Sequence, residues 1–253
     1  MAGAAVLGRL AAPIAWRVAT VVETVPEIPP VTTIALDVPD WPGHLPGQHV
    51  DVRLIAEDGY QAQRSYSIAS APAGGRVELT VERLDDGEVS PYLTKELAPG
   101  DGLELRGPIG GYFVWDGEAA PLFLLAGGSG IVPLMAMLRN RAAARIEAAA
   151  RLLFSSRSLA DVIYRQELDE LAARRDGLEV FHTLTRSQPA GWTGYARRVD
   201  APMLAETGWP SEAGATVFVC GPTAFVEAAA TILVELGYPP ERIRTERFGP
   251  TGG

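Results

Sequence analysis

The hydrophobic pattern of this chain changes style near residue 116, and no single regular architecture accommodates both halves. Before that point, short β-branched runs alternate with turn signals. Trp16–Val25, Val31–Val38, His49–Ile55, Arg64–Ser70 and Arg76–Leu84 read as strands. The breaks between them carry Pro29-Pro30, Pro42-Gly43, Asp58-Gly59, Gly74-Gly75 and Asp86-Gly87. A sixth strand, Gly102–Gly107, follows the turn at Pro99-Gly100-Asp101. Only Ser90–Leu97 reads as helix, with Ser90 at the N-cap and Pro91 at the first helical position. Many short strands with Gly/Pro turns predict a six-stranded antiparallel β-barrel.

After residue 116 the pattern alternates. Pro121–Ala126, Arg151–Ser156, Leu178–Thr185, Thr216–Cys220 and Arg242–Phe248 read as strands. Ile131–Ala144, Leu159–Arg175 and Thr223–Leu236 read as helices. Near-continuous apolar strands between helices predict a doubly wound parallel α/β sheet. In that architecture ligands sit at the carboxyl ends of strands, near the switch point of the strand order. The expected organisation is an N-terminal tail at 1–15, a β-barrel domain at 16–115 and an α/β domain at 116–253, within the reach of a 253-residue chain.

Composition excludes several function classes. The net charge is −9, which argues against a nucleic-acid groove. Cys220 is the only cysteine, so the chain cannot close an internal disulfide or hold a Cys-ligated zinc or iron–sulphur cluster by itself. His44, His49 and His182 have no metal-site spacing, and no metal is expected. Arg9 and Arg17 interrupt the apolar N-terminus. The uncharged run from Ala119 to Leu138 is broken by Gly127-Gly128-Ser129-Gly130 and Pro133. Neither matches a membrane span of roughly 20 apolar residues. The expectation is a soluble, cytoplasmic protein, monomeric or weakly dimeric.

Four clusters carry candidate chemistry. Arg64-Ser65-Tyr66-Ser67 lies on a strand, where alternation puts Arg64 and Tyr66 on one face. A guanidinium binds a diphosphate bidentately, and a phenol can lie along a flat ring. A half-buried strand with a snorkelling arginine accounts for the pattern equally well. Gly87, Val89 and Ser90 precede and open the barrel's helix, where free N–H groups can hold an anion, though plain helix capping also fits. Gly127, Gly128 and Gly130 form a strand-to-helix turn of the phosphate-binding type, though Pro133 stands where G-x-G-x-x-G would have its third glycine. Cys220-Gly221-Pro222 closes a later strand at the same rim.

In this order the clusters resemble the ferredoxin–NADP reductase superfamily. The matching segments are R-S-Y-S, G-E-V-S, G-P-I-G-G-Y-F, G-G-S-G-I-V-P, C-G-P and a terminal E-R-F, across about residues 16–250. The resemblance implies an FAD-binding barrel followed by an NAD(P)-binding domain, with FMN a less favoured flavin. It implies that Arg64 binds the flavin diphosphate and that Tyr66 packs beside the isoalloxazine. Gly87, Val89 and Ser90 would cradle the diphosphate, and Ser67 would sit near the flavin N5. It places Gly127, Gly128 and Gly130 against the dinucleotide. Cys220 would lie over the nicotinamide in a pocket shaped by Gly221 and Pro222. Glu246 would serve as a proton relay near Cys220 and Ser67, and Phe248 as the aromatic that covers the flavin. Residues Gly249 to Gly253, which follow that aromatic, depart from the plant-type pattern.

The acidic residue expected about 20 positions past the glycines, to grip a ribose 2′-hydroxyl, is replaced by Ser155-Ser156-Arg157. Thr185-Arg186 resembles the family's pair for a 2′-phosphate. NADPH is therefore expected over NADH, although two solvated arginines would give the same sequence, and Asp161 is near enough to compete for Arg157. The family's electrons go to a separate acceptor protein such as a ferredoxin or haem protein. The alternatives are a reductase of small acceptors (free flavin, quinone) and an electron-delivering subunit of a larger oxidoreductase. Arg139, Arg141 and Arg145 on a predicted helix could form a basic docking face, and a solvated face fits them as well.

Overall fold

The computed structural model describes residues 14–56, 58–72 and 75–249. The expected tail at 1–15 therefore lies almost wholly outside the described residues, as do Gly74 and the stretch after Gly249.

Six strands build the first unit: β1 (Trp16–Ile28), β2 (Val31–Asp37), β3 (His49–Ile55), β4 (Gln61–Ser67), β5 (Val77–Glu82) and β6 (Gly102–Ile109). They pair antiparallel in the order β4-β3-β6-β1-β2-β5. Alternation decides which side chains go inward: Val50 and Val52, Leu79 and Val81, and Leu103 and Leu105 all enter one buried cluster. The two edge strands meet just past β4. Ile68 bridges to Leu79, and the Ala69 N–H donates to the Glu78 carbonyl at 2.7 Å. This closes the barrel and removes its edges, which would otherwise be open to pairing.

Helix α1 (Ser90–Lys95) seats Leu93 in the barrel core. Its cap differs from the expectation. Ser90 is the first helical residue, and its hydroxyl accepts from the Leu84 N–H at 3.0 Å instead of capping the helix. The serine thereby ties off the 84–90 turn.

The second unit is a five-stranded parallel sheet: β7 (Leu122–Gly127), β8 (Ala150–Ser156), β9 (Leu178–Leu184), β10 (Thr216–Pro222) and β11 (Ile243–Phe248). Their order is β11-β10-β7-β8-β9. Helices α2 (Ile131–Ala143) and α3 (Arg165–Ala173) cover one face with Ile131, Leu134 and Leu168. Helices α4 (Ala201–Thr207) and α5 (Thr223–Glu235) cover the other with Leu204, Val226 and Leu233. Consecutive residues of β7 serve both cores: Leu122 and Leu124 face α2, while Phe123 and Leu125 face α5. A strand buried on both sides must read as a continuous apolar run, which is why its periodicity is invisible.

Three further sequence expectations need correction. The helix expected over Leu159–Arg175 is two pieces: a single 3₁₀ turn at Leu159–Asp161, then α3 from Arg165. Tyr164 separates them in the left-handed conformation (φ 57°). Helix α4 was not expected at all, although Asp200 accepts from the Met203 N–H at 2.9 Å and Pro202 sits in the first turn, a legible N-cap. Finally, Arg139 and Arg141 are not a basic docking face. Arg141 is buried (3% exposed), donating to the Ala148 carbonyl and the Asp176 carboxylate. Arg139 is spent on Glu78 and Glu167.

Two seams join the units. On one side the Tyr112 hydroxyl donates to the Ile243 carbonyl at 3.1 Å, Arg244 donates to the Val114 carbonyl, and Phe113 meets Phe218 edge-on at 5.2 Å. On the other, Val31 and Ala69 of the barrel join the apolar cluster of the α/β unit.

Removing the charged donor from a buried carbonyl leaves that carbonyl without a partner away from water. Arg141→Ala is expected to destabilise the fold by about 2 kcal/mol, because the buried Ala148 carbonyl loses its charged donor, while exposed Asp176 stays hydrated. Chemical denaturation of the purified variant reads this directly; a loss under 1 kcal/mol would contradict it.

Candidate active site

Strands β7 and β10 are neighbours, yet the helices that follow them leave on opposite faces. The crevice this opens, at the carboxyl ends of the two strands, is where a doubly wound sheet binds ligands. Gly127 ends β7, and Cys220-Gly221-Pro222 end β10. The two turns are pressed together. A Cβ on Gly130 would fall onto the Cys220 carbonyl, and one on Gly127 would lie 2.9 Å from the Phe225 ring. Gly221 is packed the same way, against Phe225 and the Gly127 backbone. Three of these glycines are thus fixed by turn-on-turn packing. Gly128 differs: it has φ +54° and open space where its Cβ would be. It is the glycine of this turn that a ligand can approach.

Register places Glu246 beside Cys220, and Phe248 beside Pro222, on the edge strand β11. Cys220 is 2% exposed. Burial, and then the neighbouring Glu246 carboxylate, pushes its thiol well above the ordinary range. The Glu246 Oε2 atom is buried with no hydrogen-bond partner among the described residues. Burial pushes this carboxyl up to about 7. A thiol that resists ionisation positions rather than attacks. A carboxyl that titrates near neutrality can hold or give up a proton. Phe248 is half-buried against the cluster that contains Cys220.

In the barrel, alternation puts Arg64 and Tyr66 on one face as expected. Tyr66 packs against the barrel core, and burial pushes its phenol up to about 12. Ser65 turns the other way and donates to Asp51 at 2.6 Å. The Arg64 side chain is 57% exposed and meets Glu88 at 3.4 Å. Glu88 also accepts from the Tyr60 hydroxyl at 2.7 Å. Sequence reasoning missed Glu88 as the arginine's partner, because the pair is 24 positions apart with no shared periodicity. Of the three amides expected at a diphosphate, that of Gly87 is engaged within its turn, donating to the Leu84 carbonyl at 2.9 Å. Ser67 ends β4 opposite His49. Among the described residues it shares no hydrogen bond with Cys220 or Glu246.

Arg157 and Arg186 follow the adjacent strands β8 and β9. The strand ends are stitched together: the Thr185 N–H donates to the Ser156 carbonyl at 2.9 Å, and the Arg186 N–H to the Arg157 carbonyl at 2.8 Å. The Thr185 hydroxyl lies 3.2 Å from the same Ser156 carbonyl. Both arginines are exposed. Asp161 accepts from the Ser158 hydroxyl at 2.6 Å, and among the described residues no ion pair joins it to Arg157. Among the described residues, no cluster of His, Cys, Asp or Glu could hold a metal ion, and no helix is long and apolar enough to cross a membrane.

These parts fit a flavin and a nicotinamide dinucleotide on their own chemistry. Arg64 is an exposed guanidinium with one long ionic contact, Gly128 leaves an open turn, and Glu246 holds an unpartnered buried oxygen at the crevice.

Comparison with known proteins agrees. The family model described as an oxidoreductase FAD-binding domain matches residues 31–114, and that of an oxidoreductase NAD-binding domain matches residues 124–231. A protein of Sorangium cellulosum named ferredoxin–NADP reductase B is 38% identical over 210 residues, covering 80% of this chain and 84% of that protein. The glycine betaine monooxygenase reductase subunit of Pseudomonas aeruginosa is 34% identical over 209 residues, 81% of this chain; the matched region is 56% of that protein's length. The flavohem-like FAD/NAD-binding domain of nitric oxide dioxygenase from Vibrio cholerae superposes with a TM-score of 0.82 at 27% identity, covering 92% of this chain and 99% of that domain.

Stability should record the desolvated carboxyl. Glu246 keeps its proton to about pH 7 when folded and loses it near the ordinary carboxylate range when unfolded. The unfolded state therefore binds fewer protons in that window, and stability falls as pH rises through it. Relative to Glu246→Gln, the wild type should lose stability progressively between pH 5 and pH 8. Parallel stability profiles for the two proteins would contradict this.

Proposed function

The chain belongs to the ferredoxin–NADP reductase superfamily and is an NAD(P)H-dependent FAD oxidoreductase; from that premise we propose that it draws reducing equivalents from NADPH and passes them to a separate redox protein. We place the domain boundary at residues 115/116, with FAD held by 16–115 and the nicotinamide dinucleotide by 116–253. When bound, FAD supplies a ring that accepts a hydride as a pair of electrons and can release the electrons singly. Arg64 would bind its diphosphate together with the amides of Val89 and Ser90, releasing Glu88. Tyr66 would lie along the ring, and Ser67 would position it from the barrel side.

The observation that carries the catalytic reading is the pairing of buried Cys220 with the unpartnered Glu246 carboxyl at the crevice. Cys220, Gly221 and Pro222 form the wall against which a nicotinamide would be held. Glu246 would hold or release a proton there, and Phe248 would exclude water from the same rim. Hydride transfer is governed chiefly by approach and alignment of the two reacting atoms, within about 3–3.5 Å. No covalent intermediate on Cys220 is expected.

Exposed Arg157 and Arg186 at adjacent strand ends support NADPH over NADH. Charge-assisted hydrogen bonds contribute roughly 1.5–3 kcal/mol each, about 10–150-fold in affinity. For the acceptor, support comes from relatives named as a monooxygenase reductase subunit and a ferredoxin–NADP reductase. We place the reaction in the cytoplasm, with the chain monomeric or weakly dimeric.

Two assays test this. The Arg186→Ala protein should lose at least about tenfold of its preference for NADPH over NADH in kcat/KM, with FAD content unchanged. An unchanged preference would remove Arg186 from the site. Turnover with a ferredoxin or haem-protein acceptor should exceed turnover with free flavin or quinone; the reverse order would make the chain a reductase of small acceptors.

A further inference from the structure

The seam beside α2 is polar and buried, and the proposed reaction does not use it. Arg139, on α2, reaches across to the barrel. Its guanidinium donates to the Ala69 carbonyl at 2.9 Å and to Glu78 at 3.0 Å. It also binds Glu167 of α3 through two bonds, at 2.8 and 2.7 Å. The side chain is 17% exposed, and its charge lies 5.0 Å from the centre of the Tyr164 ring.

Tyr164 adds a second strut. It is 4% exposed and held in a left-handed conformation that a bulky residue rarely adopts. Its hydroxyl donates to Thr80 of β5. The Thr80 hydroxyl lies 2.8 Å from that of Thr33, which donates to Glu27 at 2.6 Å. Since Thr33 gives its one proton to Glu27, Thr80 must donate to Thr33. The donors therefore run in one direction, from Tyr164 to a carboxylate that draws them along. A strained backbone at a bulky residue persists only where the surroundings over-determine it.

The placement of this network gives it meaning. Ala69 lies two residues past Ser67, the last residue of β4, where the barrel closes. Helix α2 begins immediately after Gly130, whose packing on Cys220 sets the crevice. Arg139 thus joins the end of the flavin strand to the helix that starts at the nicotinamide turn. We propose that Arg139 and Tyr164 are positioning residues for hydride transfer: they pin the two half-sites at the separation the reaction needs. Neither touches the reacting atoms. This inference rests on the function proposed above.

The test is stopped-flow reduction of the FAD-loaded full-length protein by NADPH, without oxygen, in Tyr164→Phe, Arg139→Gln and Arg139→Lys. Tyr164→Phe removes only the hydroxyl, so it keeps the test alive if Arg139→Gln fails to fold. An error of about 1 Å in alignment can cost on the order of a hundredfold in rate. The limiting rate of flavin reduction at saturating NADPH should therefore fall about tenfold or more in Tyr164→Phe and in any folded Arg139→Gln. The Kd values for FAD and NADPH should stay within about twofold, and Arg139→Lys should recover part of the rate. A limiting rate within about twofold of wild type in Tyr164→Phe, whatever its Tm, would overturn the proposal and leave the network a purely structural tie. Should wild-type protein itself show no reduction by NADPH, the underlying function fails instead; the two failures are read from different samples.

Discussion

The structure depends on the close approach of two turns at the switch point of the parallel sheet. Strand β7 feeds a helix on one face and its neighbour β10 feeds a helix on the other. For the strands to lie side by side to their ends, the turn after β7 must press against the Cys220–Gly221 backbone, and only glycine at 130 leaves room. That packing places Cys220 at the rim and carries Glu246 beside it through the β10–β11 register. Among the described residues the buried Glu246 Oε2 then finds no hydrogen-bond partner, and burial raises the carboxyl's pKa. A steric constraint on the backbone thus produces the electrostatic character of the site.

The glycines also show how one sequence signal can have two causes. Gly127, Gly128 and Gly130 read as a phosphate-type turn. In the fold, Gly127 and Gly130 are required by contacts with Phe225 and Cys220, and Gly128 is favoured by its positive φ and leaves an open side. Close packing and ligand approach are both served by the absence of a Cβ, so the sequence could not divide the roles. The same holds for Ser90, read as a helix cap and found holding the Leu84 amide. A short polar side chain before a helix has several nearby backbone partners, and sequence does not say which it takes.

Local pattern carried most of the architecture. Alternation in β3 and β6 and the change of period past residue 116 placed the barrel strands and the parallel sheet, with ends displaced by a few residues. What escaped was non-local. Tyr164 interrupts the expected helix because its hydroxyl is held by Thr80, 84 positions away. Arg139 looked like a surface charge because its partners Glu78 and Glu167 lie 61 and 28 positions off. The Arg64–Glu88 contact was hidden for the same reason. Arginine is nearly the sole basic residue, with Lys95 the single lysine, so composition could not separate buried, structural arginines from exposed Arg157 and Arg186.

In the proposed reaction a flavin held by the barrel would be reduced by a nicotinamide held at the Gly128–Cys220 crevice. The visible spectrum of the FAD-loaded protein, recorded without oxygen before and after one equivalent of NADPH, tests it most directly. The flavin spectrum should bleach, with the extent of bleaching set by the NADPH added. Protein that takes up no FAD, or bound flavin that NADPH and NADH both leave unbleached, would contradict it.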